Sequence, residues 1–256
     1  MLPDYITKTT PNPSTNRAPW STNTAPTYAG IFLWVVFYMN LADGTISRAS
    51  LGLCLLALLV AGALCYKLYY YVPAMLGMKT GYPLYVVGSS TFGTTGGFLM
   101  PGLLMGLLQV GWFSVGTFVA TKFILAGIGS TDGPGTMSFA IVVILWGYIM
   151  AFIGVKGIGY VARVALYLNM IPAVVLLVVL YNTWGGIALY TPPKSEPWAA
   201  FSLLLAAVIG FFATAGAAGT DFGMNSRDQK DVKWGGIVGI MIAVVFAGGR
   251  RRPRSV

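Results

Sequence analysis

Residues 81–121 contain no Asp, Glu, Lys or Arg, and uncharged stretches of 18 or more residues recur along most of the chain. A run of about 20 mostly apolar residues is what a helix needs to cross the hydrocarbon of a bilayer. A water-facing surface needs about a quarter of its residues charged; here 9% are charged and 56% are apolar over 256 residues. A soluble enzyme, a nucleic-acid binder and a disordered chain are all excluded by that balance. In lipid each span must satisfy its own backbone hydrogen bonds, so the expected class is an all-α, multi-pass membrane protein.

The pattern predicts spans at about 28–46, 50–70, 98–126, 137–155, 164–184 and 198–219, with a short last stretch at 235–249. The Gly-Thr-rich piece Gly88–Gly97 reads as a loop or a short surface helix. Pro172 should kink the fifth span. Residues 1–26 are polar and rich in Pro and Thr, without the apolar core of a signal peptide, and read as a flexible cytoplasmic leader. Lys and Arg are retained in cytoplasmic loops. Alternate loops place Lys8, Arg17, Lys67, Lys79, Lys156, Arg163, Arg227, Lys230 and Lys233 on one side and Arg48, Lys122 and Lys194 on the other. The N-terminus is therefore expected in the cytoplasm. Seven spans would then strand the basic tail 250–256, with Arg250, Arg251, Arg252 and Arg254, on the wrong side. The chain reads as cut short or altered at its end, or else the last stretch does not cross.

Chemistry is sparse. There is no His, which removes the commonest general base and metal ligand. Cys54 and Cys65 lie 11 positions apart in one span, about 16 Å along a helix axis, too far for a disulfide; they read as packing or lipid-facing residues. Paired carboxylates, metal-ligand spacings and phosphate loops are absent from the sequence, so neither an enzyme nor a bound cofactor is expected. The cluster from Asp221 to Lys233 reads as a solvated loop, and Asp43 as an interfacial residue.

The informative polar residue is Gln109, in the middle of the third span. Met105, Gln109, Trp112 and Gly116 fall at i, i+4, i+7 and i+11 and form one stripe. A carboxamide offers a donor and an acceptor side by side and can pair with the O=C–N–H edge of a heterocycle while Trp112 stacks on its face. The alternative is that Gln109 bonds a neighbouring helix and the glycines allow close packing. In the sixth span, Phe211-Phe212-Ala-Thr-Ala-Gly-Ala-Ala-Gly219 is dense in small residues. Such a helix unwinds easily, and broken helices are where transporters bind substrate. Ordinary small-residue packing explains the same run. Phe211 or Phe212 would supply a second aromatic wall.

Lys79-Thr-Gly-Tyr-Pro-Leu-Tyr85, Ser90-Thr-Phe-Gly93 and Pro101-Gly-Leu-Leu-Met-Gly-Leu-Leu-Gln-Val-Gly-Trp-Phe-Ser-Val-Gly116 closely resemble the nucleobase:cation symporter-1 family, whose bacterial cytosine permease branch is similar. Thr220-Asp221-Phe222 resembles the end of that family's sixth helix. The resemblance implies a leucine-transporter-like fold: a five-helix repeat and its inverted copy, with the first and sixth helices unwound at mid-membrane. This chain would supply the first repeat and the start of the second. It also implies secondary transport of a nucleobase or related heterocycle, coupled to sodium or protons, with Gln109, Trp112, Phe212 and Phe211 at the substrate. Phe211 stands where cytosine permeases carry a small hydroxyl residue, which leaves purines and other rings open. Asn40 is the candidate polar residue for a cation. The chain alone is expected not to transport; the alternative is a non-transporting membrane scaffold or assembly subunit.

Overall fold

The computed structural model describes residues 2–33, 37, 41, 45–187, 190–192 and 195–248. Asn40, Asp43, Lys194 and the tail 250–256 lie outside the described residues. Among the described residues the chain is helical and holds no strand; one isolated parallel bridge joins Ala18 to Ser226.

After single turns in the leader come α1 (Thr24–Leu33), α2 (Leu51–Thr80), α3 (Leu84–Gly127), α4 (Met137–Val155), α5 (Gly159–Gly186), α6 (Pro197–Ala217), a short α7 (Gly219–Met224) and α8 (Gln229–Gly248). Local chemistry sets their ends. Ser50, Thr136 and Asp228 accept from the N–H groups of Leu53, Phe139 and Asp231 at the starts of α2, α4 and α8, the usual work of an N-cap. Pro197 opens α6 at a position where its missing N–H costs nothing. Gly81 closes α2 with φ +72°, a left-handed turn that suits glycine.

Six of these helices, α2 to α6 and α8, are long and apolar enough to cross a membrane. Most ends shift outward from the sequence reading. At 30 residues, α2 runs roughly 45 Å and outreaches about 30 Å of hydrocarbon. Asp228 starts α8 early enough to give it 20 residues. The piece Gly88–Gly97 is helical on both sides of a sharp turn at Gly93 (φ +71°, ψ 173°). A Cβ on Gly97 would come within 2.7 Å of the Ser89 Cα, so the first turns of α3 fold back against the turns beyond Gly93. α5 is interrupted at Asn169, three residues before Pro172, whose ring displaces the carbonyl of Leu168.

The small-residue run of α6 departs from expectation. It stays helical from Pro197 to Ala217 and breaks only at Ala218, beyond the apolar window. Gly216 and Gly219 are used for close approach: a Cβ on Gly216 would meet the Tyr69 Cβ at 2.7 Å, and one on Gly219 the Tyr70 carbonyl at 3.3 Å. Packing against α2 absorbs the flexibility that composition alone suggests.

The core lies where α1, α2, α6 and α8 meet. Tyr28, Phe32, Leu58, Tyr70, Leu204, Val208, Phe212, Ile240 and Val244 are fully enclosed there. Cys54 and Cys65 are buried free thiols in the same cluster. By contrast α3, α4 and α5 form an outer layer, with 6% of each apolar window buried against 56% for α8. A layer so apolar and so exposed fits a lipid surround.

Two features tie the leader end of the molecule together. The tail of α2 and α7 cross with backbones touching: a Cβ on Gly77 would strike the Thr220 carbonyl, and one on Gly223 the Ala74 carbonyl. The leader, expected from sequence to be flexible, lies across this crossing. The Asn12 N–H donates to the Gly81 carbonyl at 2.8 Å, the Asn12 amide to the Met224 carbonyl at 3.1 Å, and the Arg17 guanidinium to the Met78 carbonyl at 2.7 Å. The Trp20 N–H donates to Asp231, a buried carboxylate that also pairs with Arg227 at 2.7 Å.

Replacing Gly223 by Ala should cost about 1–3 kcal/mol, because neither backbone can yield without shifting a helix. Gly210, whose added Cβ meets nothing within 4 Å, should tolerate Ala. Thermal unfolding of the detergent-solubilised variants separates the two; equal melting temperatures would refute the close-contact account.

Candidate functional site

The site begins with a helix end that lacks its own cap. Pro83 precedes Leu84 and offers no side-chain oxygen, yet the first N–H groups of α3 need acceptors. Asp221 of α7 supplies one: its carboxylate accepts from the Leu84 N–H at 2.8 Å. The same carboxylate borders a cleft of about 390 Å³ between α1, α3 and the α6–α7 junction, within the range of small-molecule sites, about 300–1,000 Å³.

Ile31 of α1, Tyr85, Met105 and Gln109 of α3, and Ala218 and Phe222 at the end of α6 and in α7 line this cleft. Gln109 and Met105 stand one turn apart on the same stripe, with the amide nitrogen 4.0 Å from the sulfur. Pro101 and Gly102 also line it, inside a widened π-helical segment, Phe98–Leu104. Proline has no N–H to give the ladder, and a π turn beside a cavity is a frequent companion of function. The cleft therefore holds an amide, a carboxylate and the phenol of Tyr85 on otherwise apolar walls.

The structure separates the four candidate substrate residues. Gln109 borders the cleft and is exposed. Trp112, one turn further on, sets its ring edge-to-face against Phe211 of α6, with centroids 5.4 Å apart at 72°. Phe211 packs in turn on Phe37, 5.2 Å away. Phe212 points the other way, fully buried and stacked on Phe32 at 5.7 Å with Tyr28 at 5.4 Å. Gln109 and Trp112 thus both turn toward the first and sixth helices, Phe211 joins Trp112, and Phe212 belongs to the bundle core. Asn40 lies outside the described residues.

Sequence reasoning missed Asp221 by assigning it to a solvated loop. The carboxylate is half-buried between α7, Leu84 and the cleft; desolvation holds its pKa above the ordinary aspartate value, opposed in part by the Leu84 N–H. The available signal was an acid two residues past a small-residue apolar run, a place where the chain has no room to turn a charge outward. Tyr85 was also missed; its ring carries Tyr5 of the leader at 6.1 Å. Among the described residues there is no group of three or more acidic or Cys side chains able to hold a metal.

Comparison with known proteins gives a consistent setting. The pattern that defines the permeases for cytosine/purines, uracil, thiamine and allantoin matches residues 11–247. The cytosine permease of Escherichia coli O157:H7 is 31% identical over 162 residues, 60% of this chain and 36% of that permease. The cytosine permease of Escherichia coli K12 is 29% identical over 165 residues, with the same shares. The match thus spans about a third of the length of these curated relatives. The chain belongs to the cytosine/purine permease family.

The burial of Asp221 has a measurable consequence. An acid with a raised folded pKa binds its proton more tightly in the folded chain than in the unfolded one, so folding loses stability as pH rises past about 3.8, the ordinary aspartate value, through the raised one. Asp221→Asn keeps an oxygen for the Leu84 N–H but cannot ionise. Its melting temperature should fall less over that pH interval than that of the parent chain; identical pH profiles would show the carboxylate to be solvated.

Proposed function

We propose that this family member forms the substrate-facing half-site of a permease for a nucleobase or a related heterocycle. What carries the reading is that Gln109 of α3 and Asp221 beyond α6 share one cleft with aromatic and apolar walls. A planar ring with adjacent C=O and N–H groups suits this pair. The carboxamide offers a donor and an acceptor to one edge, and the carboxylate oxygen not engaged by Leu84 accepts from an exocyclic amine or a ring N–H. The Trp112–Phe211 pair stands one turn beyond Gln109 along α3 and would close that end of the cleft over a bound ring. Similarity to cytosine permeases supports cytosine or another small ring as the class of substrate.

Transport would proceed by alternating access of the α1–α2–α6–α8 bundle against the α3–α5 layer, coupled to sodium or protons, with the N-terminus in the cytoplasm. The arrangement belongs to a leucine-transporter-like scaffold in this reading. Gln109 and most of α3 and α4 are exposed, so the ring would be covered on part of its surface only. These 256 residues by themselves are accordingly expected to give no uptake.

Equilibrium binding of radiolabelled cytosine, uracil and adenine to the purified chain tests the reading. Gln109→Leu removes both hydrogen bonds and should weaken binding about tenfold or more, since an unpaired polar edge costs about 1–3 kcal/mol. Trp112→Ala should weaken it without changing which ring is preferred. Absence of binding by any of the rings, with the helical fold intact by circular dichroism, would leave the scaffold reading in its place.

A further inference from the structure

A second surface, away from the cleft, carries charge that no carboxylate among the described residues pairs with. α2 and α8 cross antiparallel: Gly236 lies against the rings of Tyr66 and Tyr70, while the Gln229 amide donates to the Tyr71 hydroxyl at 3.0 Å. That register brings Lys67, one turn before Tyr71, to the level of Lys233, one turn after Gln229. The Lys67 ammonium sits 4.6 Å from the Tyr71 ring centroid. Both lysines are exposed, and among the described residues neither has a carboxylate within salt-bridge distance, 4.0 Å.

The nearby acids are committed elsewhere. Asp231 is buried, paired with Arg227 and accepting from the Trp20 N–H; the Asp228 carboxylate accepts from the Asp231 N–H at 2.8 Å at the start of its own helix. Lys230 adds a further exposed cation.

The depth of the patch selects its occupant. Lys67 lies 16 residues beyond Leu51, about 24 Å along α2, near the edge of about 30 Å of hydrocarbon. The surroundings are those of a headgroup boundary, where Tyr and Trp collect: the Tyr71 ring lies under the Lys67 ammonium, and Trp234, next to Lys233 in the chain, is exposed. Towards mid-membrane the same side of α2 continues as apolar surface through Leu56, half exposed and 11 residues from Lys67, which returns it to nearly the same face. Two unpaired ammoniums and an amide at headgroup level, with an apolar track leading away, match one molecule of an anionic phospholipid.

We propose that Lys67 and Lys233, with Gln229 one turn away on the same crossing, bind the phosphate headgroup of an anionic phospholipid. Each ammonium near an anionic surface is worth about a fivefold change in affinity, so removing both should weaken binding about thirtyfold.

The test is native mass spectrometry of the purified chain in detergent, titrated separately with phosphatidylglycerol, phosphatidylcholine and inorganic phosphate. One phosphatidylglycerol should be retained in preference to phosphatidylcholine, and the preference should fall as salt is raised. Lys67→Gln with Lys233→Gln should lose it, while Lys67→Arg with Lys233→Arg should keep it. Equal retention of the two lipids, or preference undiminished in the glutamine pair, would overturn the proposal. Displacement of the lipid by millimolar phosphate would also overturn it, by showing a free-anion site in place of a lipid one. If the glutamine pair does not fold, the salt dependence and the arginine pair still decide.

Discussion

The close crossing of α2 and α7 is the contact on which the rest of this arrangement depends. Gly77 and Gly223 let two backbones touch where any side chain would hold them apart. That places α7 under the end of α6 and aims Asp221 at the exposed start of α3. Without the crossing, α3 would begin with an unsatisfied N–H inside a largely apolar layer, and each such group costs free energy comparable to a lost hydrogen bond. That one carboxylate ties α7 to the start of α3 at the edge of the cleft.

Much of this architecture was written in the sequence because lipid imposes so strict a rule. Long uncharged runs can be little else than helices, and five expected spans coincide with long apolar helices, from α2 to α6. The stripe of Met105 and Gln109 was legible because a helical repeat needs no knowledge of neighbours, and both residues border the cleft. The role of the α6 glycines was not legible. A run of Gly and Ala is equally a weak helix or a close-packed one, and only the presence of Tyr69 and Tyr70 opposite decides between them. Asp221 escaped for a related reason: a charge next to a loop looks solvated until a second helix is placed over it. Phe211 and Phe212 are adjacent, so they must face different ways on a helix; sequence alone had no means of saying which met Trp112 and which met the core.

Family membership and geometry bear on different questions. The match over residues 11–247 places the chain among permeases. The structure adds how the polar groups of the cleft are held: one by helix periodicity, the other by a hydrogen bond to a foreign helix end. The outer layer of α3, α4 and α5 keeps nearly all its apolar surface outward, whereas the bundle around Tyr28 is closed. The two layers therefore differ in how easily they can move. A dense aromatic core resists deformation, and a layer held by few buried contacts opens at lower cost.

The leader gives that difference a direction. Tyr5 donates to the Thr94 carbonyl just past the turn at Gly93, and its ring touches both Tyr85 and Phe98, while Arg17 and Asn12 hold the tail of α2 and α7. One short polar segment thus grips the rigid bundle with one hand and the rim of the cavity with the other. Trimming the first dozen residues, a routine step in preparing a crystallisation target, would redraw the entrance that a ligand meets.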